Sequence, residues 1–146
     1  MFSQTTEYAL RAITHLAQHH PTPQTRQQIA AATRTPVDYL AKIMRTLGRA
    51  SIVNSGRGLH GGFTLARSPR LISVLDVVNA VDPLKRIHAC PLGLDAHHDN
   101  LCSLHKRLDE ALSMIEEAFR NSNIADLAGG DDHIRPLCNH AIGMTV

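Results

Sequence analysis

The stretch from Thr25 to Gly48 reads TRQQIAAATRTPVDYLAKIMRTLG, and the two helix starts within it decide the fold. Thr25 with Gln28 three residues on is a capping-box pattern, in which the hydroxyl accepts an orphan backbone N–H and the amide reaches back. Ile29, Ala30 and Ala32 then face inward on a short helix. Thr33-Arg34-Thr35 is a polar link. A second start follows at once: Thr35 as N-cap, Pro36 at the first helical position and Asp38 as the third-position acid. Tyr39, Leu40, Ile43, Met44 and Leu47 recur at helical spacing and predict a buried stripe, with Gly48 marking the approach to its end. Two short helices joined by a tight polar turn form a helix-turn-helix, whose second helix enters a DNA major groove N-terminus first. The exposed early positions of that helix are Thr35, Asp38, Lys42 and Arg45, and Gln28 joins them from the helix before. Taken alone, the segment also suits a helical hairpin of an ordinary bundle.

The flanks add to it. Upstream, Tyr8, Leu10, Ile13, Leu16 and Ala17 give a first helix from about Ser3 to His19, stopped by Pro21 and Pro23. Downstream, two β-prone stretches between Ile52 and Ala66 flank a tip containing Gly56, Gly58, Gly61 and Gly62, which predicts a β-hairpin. Arg57, Gly58 and His60 at the tip, with Arg67 and Arg70 behind it, make this a basic wing, and Arg57 suits a narrow, electronegative minor groove. The bland alternative is a glycine-rich surface turn with a solvated arginine.

A fourth helix opens with the capping box Ser73–Asp76, continues through Leu75, Val78 and Val81, and ends near Pro83. A loop carrying Cys90, His97 and His98 follows. The fifth helix is expected from about Asp99 to Arg120, with Leu101, Leu104, Leu108, Ala111, Ile115 and Ala118 spaced alternately by three and four, and Leu112 and Phe119 widening the seam. Such a seam pairs with its twin or packs on its own domain; two-fold reading of DNA half-sites favours a homodimer. The expected class is therefore mostly α with a small β-hairpin. Residues 1–82 form a winged helix-turn-helix domain, 83–98 a sensor or connecting loop, 99–128 a dimerisation helix and 129–146 a mobile tail.

Charge divides along the same line. Residues 1–70 hold nine Lys and Arg against Glu7 and Asp38, whereas residues 71–146 hold six against eleven acids. A polyanion partner for the front half follows, namely double-stranded DNA. With no Trp, two Tyr and three Phe, the core must rest on aliphatic side chains of packed helices. No apolar run approaches the roughly 20 residues that span a bilayer, and no signal-peptide pattern opens the chain, so no membrane partner and a cytoplasmic location are expected. No nucleophile with a supporting base, phosphate-cradling glycine loop or paired carboxylates suggests an enzyme.

In a reducing compartment, Cys90 and Cys102 are candidates for metal or redox roles, and Cys138 has no motif company. Cys102 and His105 share a helix face, and Cys90 lies on the preceding loop. Two thiols and an imidazole suit an iron–sulfur cluster or zinc, completed by His97, His98, Asp95 or a group from a second subunit. Thiols without a metal, beside surface histidines, are the alternative.

Several of these stretches resemble one bacterial family, the IscR, NsrR and CymR winged-helix regulators. They are residues 1–11, Ile29-Ala30 with residues 35–44, the wing from Ser55 to Ala66, and Asn123-Ile124-Ala125-Asp126-Leu127. The resemblance, over about residues 1–128, implies a dimer formed through the long helix, Tyr39 and Lys42 with their neighbours in the major groove, and Arg57 in the minor groove. Cys90 and Cys102 match the first and third of three closely spaced cysteines in cluster-binding members, with Ala96 at the middle position. His105 and Glu7, the latter from the other subunit, match further ligands in some members. Implied cofactors are a cluster, two-iron two-sulfur ahead of zinc, or none. Implied roles are sensing redox, nitric oxide or iron–sulfur status, or cluster-free response to a small molecule or protein partner. A metal- or electron-handling protein on a winged-helix scaffold is the reading from another class.

Overall fold

A computed structural model describes residues 2–94, 100–129 and 136–137. Its order is α1 (Gln4–Gln18), α2 (Arg26–Thr33), α3 (Val37–Arg49), β1 (Val53–Gly56), β2 (Gly62–Leu65), a 3₁₀ turn at Pro69–Leu71, α4 (Val74–Val81), α5 (Ser103–Arg120) and α6 (Ile124–Gly129). The helical class with a small hairpin is as expected. Ser3 caps α1, with its hydroxyl accepting the Thr6 N–H, and both capping boxes form: Thr25–Gln28 on α2 and Ser73–Asp76 on α4. β1 and β2 are antiparallel, with Val53 opposite Leu65 and Gly56 opposite Gly62.

One aliphatic core joins α1 (Ala9, Ala12, Ile13, Leu16), α2 (Ile29, Ala30), α3 (Leu40, Ile43, Met44, Leu47) and α4 (Val74, Val77, Val78). Ile52, Val53 and Leu65 anchor the base of the hairpin to it. Burial of such side chains contributes about 1.5–3 kcal/mol each for the larger ones, which makes the packed stripes, not helix propensity, the reason these short helices persist.

Three expectations are corrected. Pro36, not Thr35, holds the cap position of α3, without a side-chain bond. Thr35 is instead buried, its hydroxyl 2.9 Å from that of Thr33. A buried hydroxyl needs a partner, and the turn through left-handed Arg34 brings these two threonines together, so Thr35 is unavailable as a cap. Second, α5 begins at Ser103, so Leu101 precedes the helix, and Asp99 lies outside the described residues. Third, a short separate helix not distinguished in the sequence, α6, follows α5, and its start is marked by Asn123 Oδ1 accepting the Asp126 N–H at 3.0 Å. Ile124 is fully buried in the common core, and its N–H donates to the Ile72 carbonyl at 2.9 Å. Of the expected tail, only Gly129 and residues 136–137 fall within the described residues; Cys138 lies outside them.

His15 is a polar residue in this interior. It is 6% exposed on α1, with its Nε2 3.2 Å from Gln24 Oε1 and the His19 ring 4.2 Å away, centroid to centroid. Burial holds its pKa below the usual 6.5; the bond to Gln24 opposes this, and the charge of His19 adds to it. The unfolded chain therefore takes up the proton first as pH falls, and stability decreases on acidification from 6.5 toward the lower folded value. Urea midpoints measured from pH 7.5 to 5 should fall through this window for the parent chain, and His15→Gln, which keeps a donor toward Gln24, should flatten the decline. Equal slopes in the two proteins would assign the acid sensitivity elsewhere.

Candidate nucleic-acid interface

Helices α2 and α3 and the hairpin surround one open concavity of about 1290 Å³. Four arginines line it: Arg26 from α2, Arg45 and Arg49 from α3, and Arg57 from the hairpin tip. No acid is among the lining residues, and none of the four arginines has an ion-pair partner among the described residues.

Local physics runs against this placement unless an anion is present. Arg26 occupies the first position of α2, whose first turn has no acid, so a cation sits at the positive end of a helix dipole. Arg45 and Arg49 are like charges four apart, a mildly destabilising pair on a helix surface. Phosphate groups would relieve both.

The wing is held in place by backbone contact. Gln24 N–H donates to Phe63 O at 3.0 Å, and Phe63 N–H donates to Gln24 O at 2.8 Å. Gly62, at φ +148°, leaves no space for a side chain: a Cβ there would lie 2.7 Å from the Gln24 carbonyl oxygen. The hairpin thus joins the segment ahead of α2 by a short two-bond bridge.

The expected positions separate into groups. Arg45, Arg57 and Gly58 line the concavity. Tyr39 and Lys42 instead border a smaller hollow of about 140 Å³ with Thr5, Ile43, Thr46 and Val81, on the side of α3 toward α1 and α4. Tyr39 is half-buried, its hydroxyl bonded to Thr5 and its ring edge-on to Tyr8 at 5.7 Å. Asp38 and His60 are exposed but outside both linings. Gln28 is exposed, with its Oε1 committed to the Thr25 N–H at 2.8 Å. Thr35, expected among the exposed positions, is buried. Arg26, Gln27 and Arg49 were not among the expected residues; the three-then-four spacing of Lys42, Arg45 and Arg49 was the available signal.

The cysteine region is built from the α4–α5 linker. Arg86 forks onto Asp109 of α5 with two 2.7 Å bonds and reaches Glu116 at 3.2 Å, and the Ile87 N–H donates to Asp109 Oδ1 at 2.8 Å. The guanidinium first, and the Ile87 amide second, hold the Asp109 carboxyl at about 2. This pins the linker three residues before half-buried Cys90. Cys102 caps α5 with its Sγ 3.3 Å from His105 Nδ1, a separation that two ligands of one metal can adopt. Thiol and imidazole fit iron or zinc in donor type. No group of three or more His, Cys, Asp and Glu able to hold a metal ion gathers among the described residues, however. Asp95, Ala96, His97 and His98 lie outside the described residues. Glu7 is exposed on the outer face of α1, paired with Arg11 at 2.9 Å.

Helix α5 has a divided surface. Asp109 and Glu116 face the linker, and Phe119 stacks on Phe2 at 5.2 Å. Leu104, Leu108 and Met114 are 62%, 48% and 72% exposed, and no residue of the helix is fully buried. No helix among the described residues is long and apolar enough to cross a membrane.

Comparison with known proteins bears on this geometry. Residues 2–130 match the Rrf2 family, described as iron-dependent transcriptional regulators. A protein of Aquifex aeolicus described as an HTH-type transcriptional regulator is 30% identical, over 94% of this chain and 98% of its own length. The HTH-type transcriptional regulator NsrR of Bacillus licheniformis is 27% identical, over 90% of this chain and 94% of its own. Among solved structures, CymR, the global cysteine regulator of B. subtilis, superposes with a TM-score of 0.75 at 22% identity, over 90% of this chain and 98% of its own. T. potens IscR superposes with a TM-score of 0.74 at 25% identity, over 90% and 88%.

Proposed function

We propose that this chain, which belongs to the Rrf2 family of transcriptional regulators, reads a two-fold symmetric DNA site as a homodimer, through α3 in the major groove and Arg57 in the minor groove. It is a DNA-binding transcriptional regulator and not an enzyme. The observation that carries the finer reading is the set of four arginines, without an ion-pair partner among the described residues, around the concavity between α2, α3 and the wing. Arg26 at a helix N-terminus and the like-charged pair Arg45 and Arg49 are arrangements that helix electrostatics opposes, as expected when the stabilising charge belongs to a ligand. Gly58 shares the concavity; Asp38 in the first turn of α3, Lys42 and Tyr39 on its other side, and exposed Gln28 and His60 are assigned to the periphery of the same DNA surface.

Lys and Arg that displace condensed counterions make affinity fall steeply with salt. On a DNA selected from a random pool, Arg57→Ala should weaken binding, relax any preference for A·T-rich flanks and lower the log K against log salt slope by about one unit. Unchanged affinity and preference would remove the wing from the interface.

The second copy is assigned to the apolar stripe of α5. Leu104, Leu108, Ala111, Ile115 and Ala118 follow a coiled-coil seam, while Asp109, Glu116 and Phe119 on the adjoining face are committed to Arg86 and Phe2. Leu108→Glu places a charge in that seam and forfeits about 1 kcal/mol of burial per protomer, since half of Leu108 is already covered in the single chain. In sedimentation it should shift the chain to monomer at concentrations where the parent is a dimer, with operator affinity falling together with it. A dimeric Leu108→Glu protein would assign the interface elsewhere.

The 3.3 Å contact between Cys102 and His105 favours a sensing role at that end of α5. Cys102, His105 and Cys90, with Glu7 of a second copy, are the residues that would hold an iron–sulfur cluster, two-iron two-sulfur ahead of zinc. Such a cluster, when bound, supplies one-electron redox chemistry and reactivity toward nitric oxide. The linker held by Arg86 would carry a change at Cys90 to α5 and α4. Protein prepared without oxygen should contain iron and sulfide and absorb in the visible, and Cys102→Ser should abolish both. A colourless preparation without iron or zinc leaves a cluster-free regulator.

A further inference from the structure

The tip of the wing runs from Arg57 to Gly61, between the two strands. The Gly61 N–H donates to the Gly58 carbonyl at 3.0 Å, closing a four-residue turn with Leu59 and His60 at its corners. The base of the turn is packed tightly: a Cβ on Gly61 would lie 2.7 Å from Gly56 O and 2.8 Å from the Arg57 carbonyl carbon. The corners are therefore held forward by backbone contact. Leu59 is 98% exposed, more than any other large apolar side chain described.

Single exposed leucines are ordinary on protein surfaces. Position makes this one informative. A solvated turn corner normally carries Asn, Asp, Ser or Gly. Leu59 contributes nothing to the core, yet it leads the hairpin at the edge of the arginine-lined concavity, two residues from Arg57. Proteins that bend DNA through the minor groove combine these two elements: a cation that draws the backbone in, and an apolar wedge that enters between base pairs. Pyrimidine–purine steps open most readily to such a wedge.

We propose that Leu59 is an apolar wedge that enters the minor groove at a flexible base step beside Arg57, partly unstacks it and bends the duplex. The inference rests on the DNA-binding reading and extends it: Arg57 supplies attraction and groove-width preference, and Leu59 supplies deformation and a preference for the deformable step. Its partner is duplex DNA, not another protein.

The test uses the full-length chain and a duplex that it selects from a random pool. Bending is read by end-to-end energy transfer, and unstacking by 2-aminopurine fluorescence at each step under the wing. The parent should bend the duplex and raise fluorescence at one step of each half-site. Leu59→Ala should still bind, about three- to tenfold more weakly and with an unchanged salt slope, while losing the bend and the fluorescence rise. Leu59→Met should restore both, because an unbranched apolar side chain also fits between bases. A duplex left straight and stacked by the parent, or bent equally by Leu59→Ala, overturns the wedge. If Leu59→Ala is silent while Arg57→Ala weakens binding, the wedge alone fails and the wing stays in the interface. If the parent selects no duplex at all, the DNA-binding reading fails and the wedge with it.

Discussion

Gly62 lies with its backbone against that of Gln24, and the rest of the surface is arranged around this contact. The two hydrogen bonds between Gln24 and Phe63 join the hairpin to the segment that leads into α2. They form only because residue 62 has no side chain to keep the strands apart. Behind them, the Gln24 side chain is oriented by buried His15, so α1 supports the joint from within. Without this joint, β1 and β2 would be a two-stranded ribbon of four residues each, a length that is marginal alone in water. With it, Arg57 is held on the same side as Arg26, Arg45 and Arg49, and four separate cations become one field.

The back half of the chain follows a different constraint. Arg86 lies in the α4–α5 linker and satisfies Asp109 and Glu116, two acids seven residues apart on one face of α5. The Ile87 amide adds a backbone tie to the same carboxylate. At the other end of α5, the Val74 N–H donates to Ser122 O, and Ile124 enters the core. A helix fastened at one face and at its C-terminal end leaves its remaining apolar stripe outward. The same geometry sets Cys102 and His105 at the far end of α5, on the linker side of the winged domain.

Much of this was legible because it depends on neighbours in sequence. The capping boxes at Thr25 and Ser73 are local patterns and form where the sequence puts them, and the α3 stripe is buried as spaced apart from half-buried Tyr39. In α1 the buried face is instead Ala9, Ala12, Ile13 and Leu16, with Tyr8, Leu10 and Ala17 at its margin, and α4 adds Val74 and Val77. Thr35 misled for a physical reason. Its residue type suits a cap, but the left-handed turn at Arg34 directs it to Thr33. The Asn123–Asp126 cap of α6 follows the same rule as the others and was readable; only its brevity before Gly129 and Gly130 concealed it. Within the site, Arg45 and Arg57 could be expected from motif position. Arg26 could not, because its value comes from α3 and the wing converging on the start of α2.

By itself, then, the sequence determined the capping-box helix starts at Thr25 and Ser73, the glycine-marked hairpin, the uneven charge of the two halves and the heptad spacing of α5. Each follows from hydrogen bonding, backbone freedom or periodicity over a few residues. The tertiary structure alone decided which cations share a surface, that Tyr39 and Lys42 stand apart from Arg45 and Arg57, that Asp109 answers Arg86, and that Leu59 leads the wing. These depend on which elements, far apart in the chain, pack on each side of a helix or hairpin, and they are set by how aliphatic faces meet and where a missing Cβ lets two backbones approach.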